Sequence, residues 1–359
     1  MGAEQTMVTQ ANATAGENAS AVSLDDNALL SGYRSMVMMR LLHDRATNLQ
    51  RTGRIHSWLG CLGQEAAIVA SGMALAPQDW VFPSYREHAV ALVRGIPMRK
   101  LLDHLFGNAA DNVMGRNLPP EYSFREVNFV SISAPVGTQV PQAVGAAMAA
   151  RLKGDPVVVM TYFGDGTAST SDVHTALNFA GVYKAPIVFF CQNNGWAISV
   201  PTSKQSASQD IAGRAVAYGI QGVKVDGNDF LATYAATSAA VEKARAGGGA
   251  TLIEALTYRV GPHSTSDDPS AYRDDAEVAP WRERDPIAQF ESVLRERGLW
   301  TPEEGEALRE ALNQELLEAA KEAQAERLPT VDTLFNDVYA EQPWHLREQH
   351  EAHLALRRH

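Results

Sequence analysis

The sequence has few cysteines, and they are widely separated. Only Cys61 and Cys191 occur among its 359 residues, and neither belongs to a C-x-x-C motif. Cys191 ends an apolar run and is expected to be a buried core thiol. This usage is typical of a reducing compartment, so we expect a cytoplasmic location.

The sequence also lacks an excess of positive charge and a long apolar run. Its 31 Lys and Arg stand against 42 Asp and Glu, a net charge of −11, which argues against a nucleic-acid-binding surface. No apolar run of about 18 residues occurs, so no membrane span is expected. Residues 1–23 are small and polar without Arg or Lys. They resemble neither a signal nor a transit peptide, and we interpret them as a flexible arm.

Two common phosphate-binding loops are missing as well. The chain contains no G-x-x-x-x-G-K-[ST] motif, and Ser169 replaces the third glycine of a G-x-G-x-x-G loop at Gly164. Nucleotide binding through either loop is therefore not expected.

A strand–helix–strand pattern occupies residues 157–194. The apolar run 157–163 predicts a buried strand, 169–183 an amphipathic helix, and 187–191 a second buried strand. Both strands of such a unit point the same way, so their carboxyl ends lie at one edge of the sheet. Open α/β sheets bind ligands at that edge.

Two hard oxygen ligands follow these strands. Asp165 comes directly after the first strand, and Asn194 after the second. Carboxylate and carbonyl oxygens are the ligands that Mg²⁺ prefers, and it commonly binds one or two of them together with phosphate oxygens. Gly164 and Gly166 allow a sharp turn close to an anion, and a helix starting after Thr167 would add free N–H groups. The pattern predicts a magnesium–diphosphate site.

The remaining segments fit one α/β domain over residues 24–330. We predict helices over 24–52, 64–76, 140–151 and 231–246, charged helices from 286 to 327, and strands near 79–83, 223–225 and 251–258. Residues 108–125 are predicted to be irregular. Residues 331–359 are interpreted as a tail that packs against another subunit.

The order GDG, about thirty residues, then NN resembles the motif of thiamine diphosphate enzymes. From residue 24 to the C-terminal helices, the chain resembles the α subunit of the thiamine diphosphate-dependent first component of 2-oxo acid dehydrogenase complexes. This resemblance implies the thiamine diphosphate-binding fold, a mostly parallel sheet flanked by helices. Segments 258–268 (YRVGPHSTSDD) and 271–273 (AYR) most resemble the branched-chain (2-oxoisovalerate) member. Pyruvate and acetoin dehydrogenases remain alternatives.

The resemblance also implies residue roles. Asp165, Asn194 and the backbone carbonyl of Trp196 correspond to Mg²⁺ ligands, and His263 corresponds to a catalytic histidine on a loop beside the cofactor. A K⁺-binding loop is implied at Ser133, Pro135, Thr138 and Gln139. The implied cofactor-binding set is Tyr85, Arg86, Ala134, Val136, Gly164, Asp165, Gly166, Thr167, Gln192, Asn194, Trp196 and His263.

Two positions depart from the family pattern. Gln192 stands where branched-chain relatives carry Arg or another polar residue, which would leave Arg86 and His263 to carry more of the charge facing the diphosphate. Glu121 stands where a relative has a histidine, which puts a role of that segment in proton transfer in doubt.

The resemblance implies a partner, because this chain supplies only the diphosphate half of a thiamine site. The pyrimidine half and its glutamate would come from a β subunit in an α₂β₂ heterotetramer, and the acyl group from a small 2-oxo acid would pass to a lipoylated acyltransferase. Two alternatives from other classes stay open: a stand-alone thiamine decarboxylase or transketolase, and a non-catalytic scaffold subunit. A stand-alone enzyme would be expected to have a longer chain with its own pyrimidine-binding glutamate. A scaffold subunit would be expected to lack Asp165, Asn194 or His263, and all three are present.

Overall fold

A computed structural model describes residues 24–356, so the predicted arm 1–23 lies outside the described residues. The strands are β1 (Trp80–Phe82), β2 (Val159–Gly164), β3 (Ile187–Asn193), β4 (Trp196–Ala197), β5 (Val200–Pro201), β6 (Gln221–Asp226) and β7 (Thr251–Leu256). Five of them form a parallel sheet in the order β1-β2-β3-β7-β6. The other two, β4 and β5, form a small antiparallel pair. The predicted mostly parallel α/β fold is confirmed.

Helices surround this sheet. They are α1 (Asp26–Arg51), α2 (Glu65–Met73), α3 (His88–Val93), α4 (Met98–Phe106), α5 (Gln139–Lys153), α6 (Ser171–Val182), α7 (Thr202–Gln205), α8 (Phe230–Arg245), α9 (Asp275–Glu283), α10 (Pro286–Glu296), α11 (Pro302–Ala325), α12 (Thr333–Asn336) and α13 (Trp344–Leu356). Short 3₁₀ helices occupy Arg125–Val127, Thr167–Ser169, Ala212–Tyr218 and Pro269–Ala271.

The central strands are buried on both faces, which explains their continuous apolar sequences. In β2, Met160 and Tyr162 belong to a core shared with α1, α2, α4, α8, α10 and α11. Their neighbours Val159 and Phe163 belong to a second core shared with α5 and α6. Alternate residues thus face opposite layers, as the two-residue period of a strand requires.

The helix boundaries follow local signals. Asp25 accepts a hydrogen bond from the backbone of Ala28 at the start of α1, and Thr301 forms a capping box with Glu304 at the start of α11. Gly154 ends α5 in the left-handed conformation, at φ +72°. These caps explain why the long helices were predicted to within a few residues.

The sequence pattern missed five helices of the described residues. They are the amphipathic α4, the four-residue α7 and α12, the proline-containing α9 and the C-terminal α13. Residues 108–122 between α4 and the first 3₁₀ helix are irregular, as predicted. Within residues 24–356, no helix combines the length and the apolar character that crossing a bilayer requires.

Candidate active site

The floor of the site is built by the ends of two neighbouring strands. Gly164 at the end of β2 pairs in register with Gln192 of β3. Asp165 and Asn194 follow at the same sheet edge, and both are buried. Both line the same cavity. The structure therefore brings together the two predicted side-chain metal ligands.

Asp165 is a buried carboxylate with few compensating partners. Its Oδ2 accepts a hydrogen bond from Thr202 Oγ1 at 2.8 Å and a longer one from Gln205 Nε2 at 3.4 Å. Burial raises the pKa of Asp165, although the bond from Thr202 opposes the shift. A cation at this carboxylate would offset the cost of burying its charge. This environment fits a bound divalent ion.

The third predicted ligand, the Trp196 carbonyl, has a neighbour that sequence reasoning missed. Arg259 Nη1 donates to the Trp196 carbonyl at 3.2 Å, and its Nη2 donates to the Ile198 carbonyl at 2.6 Å. A carbonyl oxygen has two lone pairs, so one remains for a metal. The turn that presents it requires positive φ at Gly195 (+84°) and Ile198 (+54°).

The loop after β2 differs in detail from the expectation. A 3₁₀ turn covers Thr167–Ser169, and α6 begins only at Ser171. The reason is that Thr170 is extended and its hydroxyl donates to the Thr167 carbonyl. A Cβ on Gly166 would lie 2.7 Å from Cβ of Ala197, so only glycine fits there. The helix start predicted directly after Thr167 is therefore a 3₁₀ turn.

These residues surround one cavity of about 450 Å³ at the carboxyl edge of the sheet. Its apolar side includes Leu59, Ile132 and Ile198, which sequence reasoning did not name. Every residue predicted to bind the cofactor lines it: Tyr85, Arg86, Ala134, Val136, Gly164, Asp165, Gly166, Thr167, Gln192, Asn194, Trp196 and His263. The structure thus groups them, while their individual roles stay predictions.

His263 is held in place by Arg86, which also lines the cavity. Arg86 Nη2 lies 3.2 Å from His263 Nδ1 and donates to the His263 carbonyl at 3.0 Å, and its Nη1 donates to the Gly60 carbonyl. Because a guanidinium only donates, Nδ1 must accept, which places the imidazole proton on Nε2. Arg86, predicted as a diphosphate ligand, also fixes the His263 loop.

The surroundings of His263 keep its ring uncharged. Burial, followed by the positive charges of Arg86 and Arg259, lowers the pKa of His263 to about 4. A neutral ring leaves Arg86 as the charged member of this pair, and how the two residues share the charge facing a bound diphosphate stays a prediction. The loop itself is closed by Asp267, which accepts from the His263 backbone at 2.7 Å and from Tyr272 Oη at 2.5 Å.

The unusual Gln192 has a buried partner, Glu87. Gln192 Nε2 donates to Glu87 Oε1, which also accepts from Ser84 Oγ at 3.2 Å. Burial raises the pKa of Glu87, which favours its neutral form. Sequence reasoning missed Glu87, although its position directly after Arg86 was a signal. Arg259 lies in segment 258–268, which carries the family resemblance, but no role was predicted for it. Nothing in the sequence pointed to Gln64, whose Oε1 accepts from Asn194 Nδ2 at 3.2 Å.

The residues predicted to bind K⁺ make separate contacts in the structure. Thr138 Oγ1 donates to the Pro135 carbonyl at 3.0 Å. Gln139 is buried, and its Nε2 donates to the Tyr162 carbonyl at 2.9 Å, so this side chain also supports β2. Ser133 is half-buried.

Comparison with known proteins gives a consistent family. The family model described as "Dehydrogenase E1 component" matches residues 33–332. The chain is 43% identical over 330 residues to the 2-oxoisovalerate dehydrogenase α subunit of Bos taurus, covering 92% of this chain and 72% of that one. It is 42% identical to the Homo sapiens protein over 330 residues (92% and 74%) and to the Pseudomonas aeruginosa protein over 335 residues (91% and 82%).

Proposed function

The chain belongs to the dehydrogenase E1 component family, and from that premise we propose that it is the α subunit of a branched-chain 2-oxo acid dehydrogenase. Its reaction is the oxidative decarboxylation of 2-oxo acids such as 2-oxoisovalerate, with transfer of the acyl group to a lipoyl arm. The observation that carries the proposal is the buried Asp165–Asn194 pair at the floor of the cavity.

The cofactor we propose is thiamine diphosphate with Mg²⁺. Asp165, Asn194 and the Trp196 carbonyl form an oxygen donor set for a hard divalent cation. When bound, thiamine diphosphate supplies the carbanion and the electron sink for decarboxylation. Arg86 offers the rigid guanidinium that suits diphosphate oxygens. A K⁺ ion at the loop of Ser133, Pro135, Thr138 and Gln139 is part of the same proposal.

The structure makes His263 a hydrogen-bond donor at the cavity. Because Arg86 occupies His263 Nδ1, the N–H of Nε2 is the hydrogen-bond donor that the ring retains. The low pKa of His263 keeps the ring neutral across the physiological range. A positioned neutral imidazole can donate to a developing oxygen or sulfur charge near pH 7. We propose that His263 is the catalytic residue of this chain and assists acyl transfer.

We propose that a β subunit completes the site in an α₂β₂ heterotetramer. The cavity is open at the side of Val136 and Ile198, which are 44% and 54% exposed. A partner that covers these side chains would exclude water and supply the glutamate that the pyrimidine half requires. We also propose that a lipoylated acyltransferase receives the acyl group, and that the two buried free cysteines reflect a reducing, cytoplasmic location.

The test is co-expression of this chain with a candidate β subunit. We expect the complex to decarboxylate 2-oxoisovalerate faster than pyruvate, and the chain alone to turn over neither. Preference for pyruvate would assign the chain to the pyruvate branch of the family. Robust turnover by the purified single chain would favour a stand-alone thiamine enzyme instead.

A further inference from the structure

One side of the active-site cavity is a thin wall with space behind it. Residues 118–121 contribute Leu118, Pro120 and Glu121 to the lining. Leu118 and Pro119 also line a second cavity of about 630 Å³ on the other side of this segment. Close packing normally fixes such a segment, but here it has free volume on both sides. Its position must therefore depend on specific contacts.

The contact that ties this wall to the helices is made by His104, in the last turn of α4. His104 Nδ1 lies 2.9 Å from Oδ1 of Asp111, and His104 Nε2 lies 3.2 Å from the carbonyl oxygen of Leu118. His104 and Asp111 are only 4% and 5% exposed. The ring also packs on Tyr122, with the ring centroids 4.9 Å apart.

Both partners of the His104 ring can only accept. The Leu118 carbonyl has lone pairs and no proton. The Asp111 carboxylate already accepts from the backbone amides of Val113 at 3.3 Å and Gly115 at 2.8 Å. Burial alone would raise the pKa of Asp111, but the bonds from His104 and these amides lower it. Two accepting partners require two ring donors, which is the imidazolium form of His104.

We propose that protonated His104 is a positioning residue that holds the wall at residues 118–121 in place. A neutral ring keeps its single proton toward the Asp111 carboxylate and therefore loses its bond to the Leu118 carbonyl. Loss of the Leu118 bond thus frees the wall while the anchor on Asp111 remains. That the wall shapes substrate binding rests on the function proposed above.

The other titratable groups around His104 are paired, uncharged or located across the second cavity. Asp103, on the same helix, pairs with Arg99 at 2.7 Å. His88, behind Tyr122, stays uncharged because burial and the charges of Arg86 and His43 lower its pKa to about 3. The lining of the second cavity adds Arg54 and His56. None of these four groups bonds to the His104 ring, whereas the Asp111 carboxylate does.

Two substitutions separate the two contacts. In His104→Gln the longer side chain keeps a donor near the Nε2 position, and in His104→Asn the shorter one keeps a donor near Nδ1. Both are assayed beside the wild type in the assembled, cofactor-loaded enzyme. The readouts are KM for 2-oxoisovalerate and amide hydrogen exchange of residues 115–123, corrected for intrinsic rates.

We expect the wild type to behave like His104→Gln, because both keep a donor to the Leu118 carbonyl. Loss of the Leu118 contact should raise KM and local exchange by about tenfold with little change in kcat. KM and local exchange should stay low in His104→Gln and rise in His104→Asn. If the three proteins coincide, or if the wild type behaves like His104→Asn, the inference is wrong. If exchange follows this pattern but no 2-oxo acid is turned over, the inference stands and the proposed function fails.

Discussion

The floor of the cavity and the wall formed by Arg86 and His263, which is separate from residues 118–121, are stabilised in different ways. At the floor, Asp165 and Asn194 directly follow two strands that are hydrogen-bonded to each other. At the wall, Arg86 reaches His263 across 177 positions of sequence, and the contact depends on side-chain bonds to backbone carbonyls. The sheet therefore fixes the geometry of the floor, whereas the geometry of the wall depends on a few long-range side-chain contacts.

The two regions also differ in charge. The floor buries a carboxylate whose pKa is raised, so it gains most from a bound cation. The wall combines the Arg86 guanidinium with a neutral His263 whose pKa is lowered to about 4. This contrast predicts that changes at the floor affect binding of metal and cofactor, whereas changes at the wall affect catalysis or local stability.

The largest effect is expected at the floor, from Asp165→Asn. Loss of the charged ligand of the proposed Mg²⁺ site should abolish measurable Mg²⁺-dependent thiamine diphosphate binding, a larger effect than the roughly 10- to 100-fold typical of outer-shell changes. Calorimetric titration of the assembled enzyme measures this affinity. The exposed Asp155→Asn is the matched control and should bind as the wild type does. Unchanged affinity in Asp165→Asn would falsify the metal assignment.

At the wall, His263→Ala should lower the rate of lipoyl acylation by about 10²–10⁴-fold, the usual range for a positioned proton donor. Its affinity for thiamine diphosphate should stay near that of the wild type, and excess cofactor should not restore the rate. The exposed His345→Ala is the control. Rescue by excess cofactor would mean that His263 anchors the cofactor, and the division between floor and wall would break down.

Acid should loosen the wall before the floor. His88, directly behind the wall, binds a proton at about pH 6.5 when unfolded but only near pH 3 when folded. The unfolded chain thus binds more protons between these values, so stability is full above about pH 6.5 and falls as pH decreases. At about pH 5, His88 alone lowers the free energy of unfolding by about 2 kcal/mol.

Urea unfolding of the wild type and of His88→Gln between about pH 7 and pH 5 measures how much unfolding free energy His88 removes as the pH falls. The variant should lose less stability over the range, and hydrogen exchange in the wild type should rise near Arg86 and His263 before it rises in β2 and β3. Equal pH slopes for the two proteins would show that His88 is not the group responsible.

The smallest effect is expected from Gln192→Arg, at the boundary between floor and wall. An arginine there would pair with Glu87 and add a positive charge beside the proposed diphosphate site. Charge-assisted bonds are about twice as strong as neutral ones, so cofactor affinity should increase several-fold. Gln192→Glu is the opposite-charge control and should weaken binding. If both variants bind alike, Gln192 does not face the diphosphate.

The sequence by itself determined the floor and most of the fold. Apolar periodicity located β2, α6 and β3, and parallel strands necessarily bring Asp165 and Asn194 to one edge. These features depend on neighbouring positions and on strand direction, which a sequence pattern reports directly. The helices missed by the pattern, such as α4 and α9, do not alter that edge.

Only the tertiary structure decided the protonation and support of the side chains around that floor. It showed that Arg86 fixes the proton of His263 on Nε2, that Gln192 is paired with Glu87, and that Arg259 shares the Trp196 carbonyl. The physical reason is that a protonation state depends on burial and on the donors and acceptors that meet a group in space. Those partners come from segments far apart in the chain, and no local pattern specifies which of them meet.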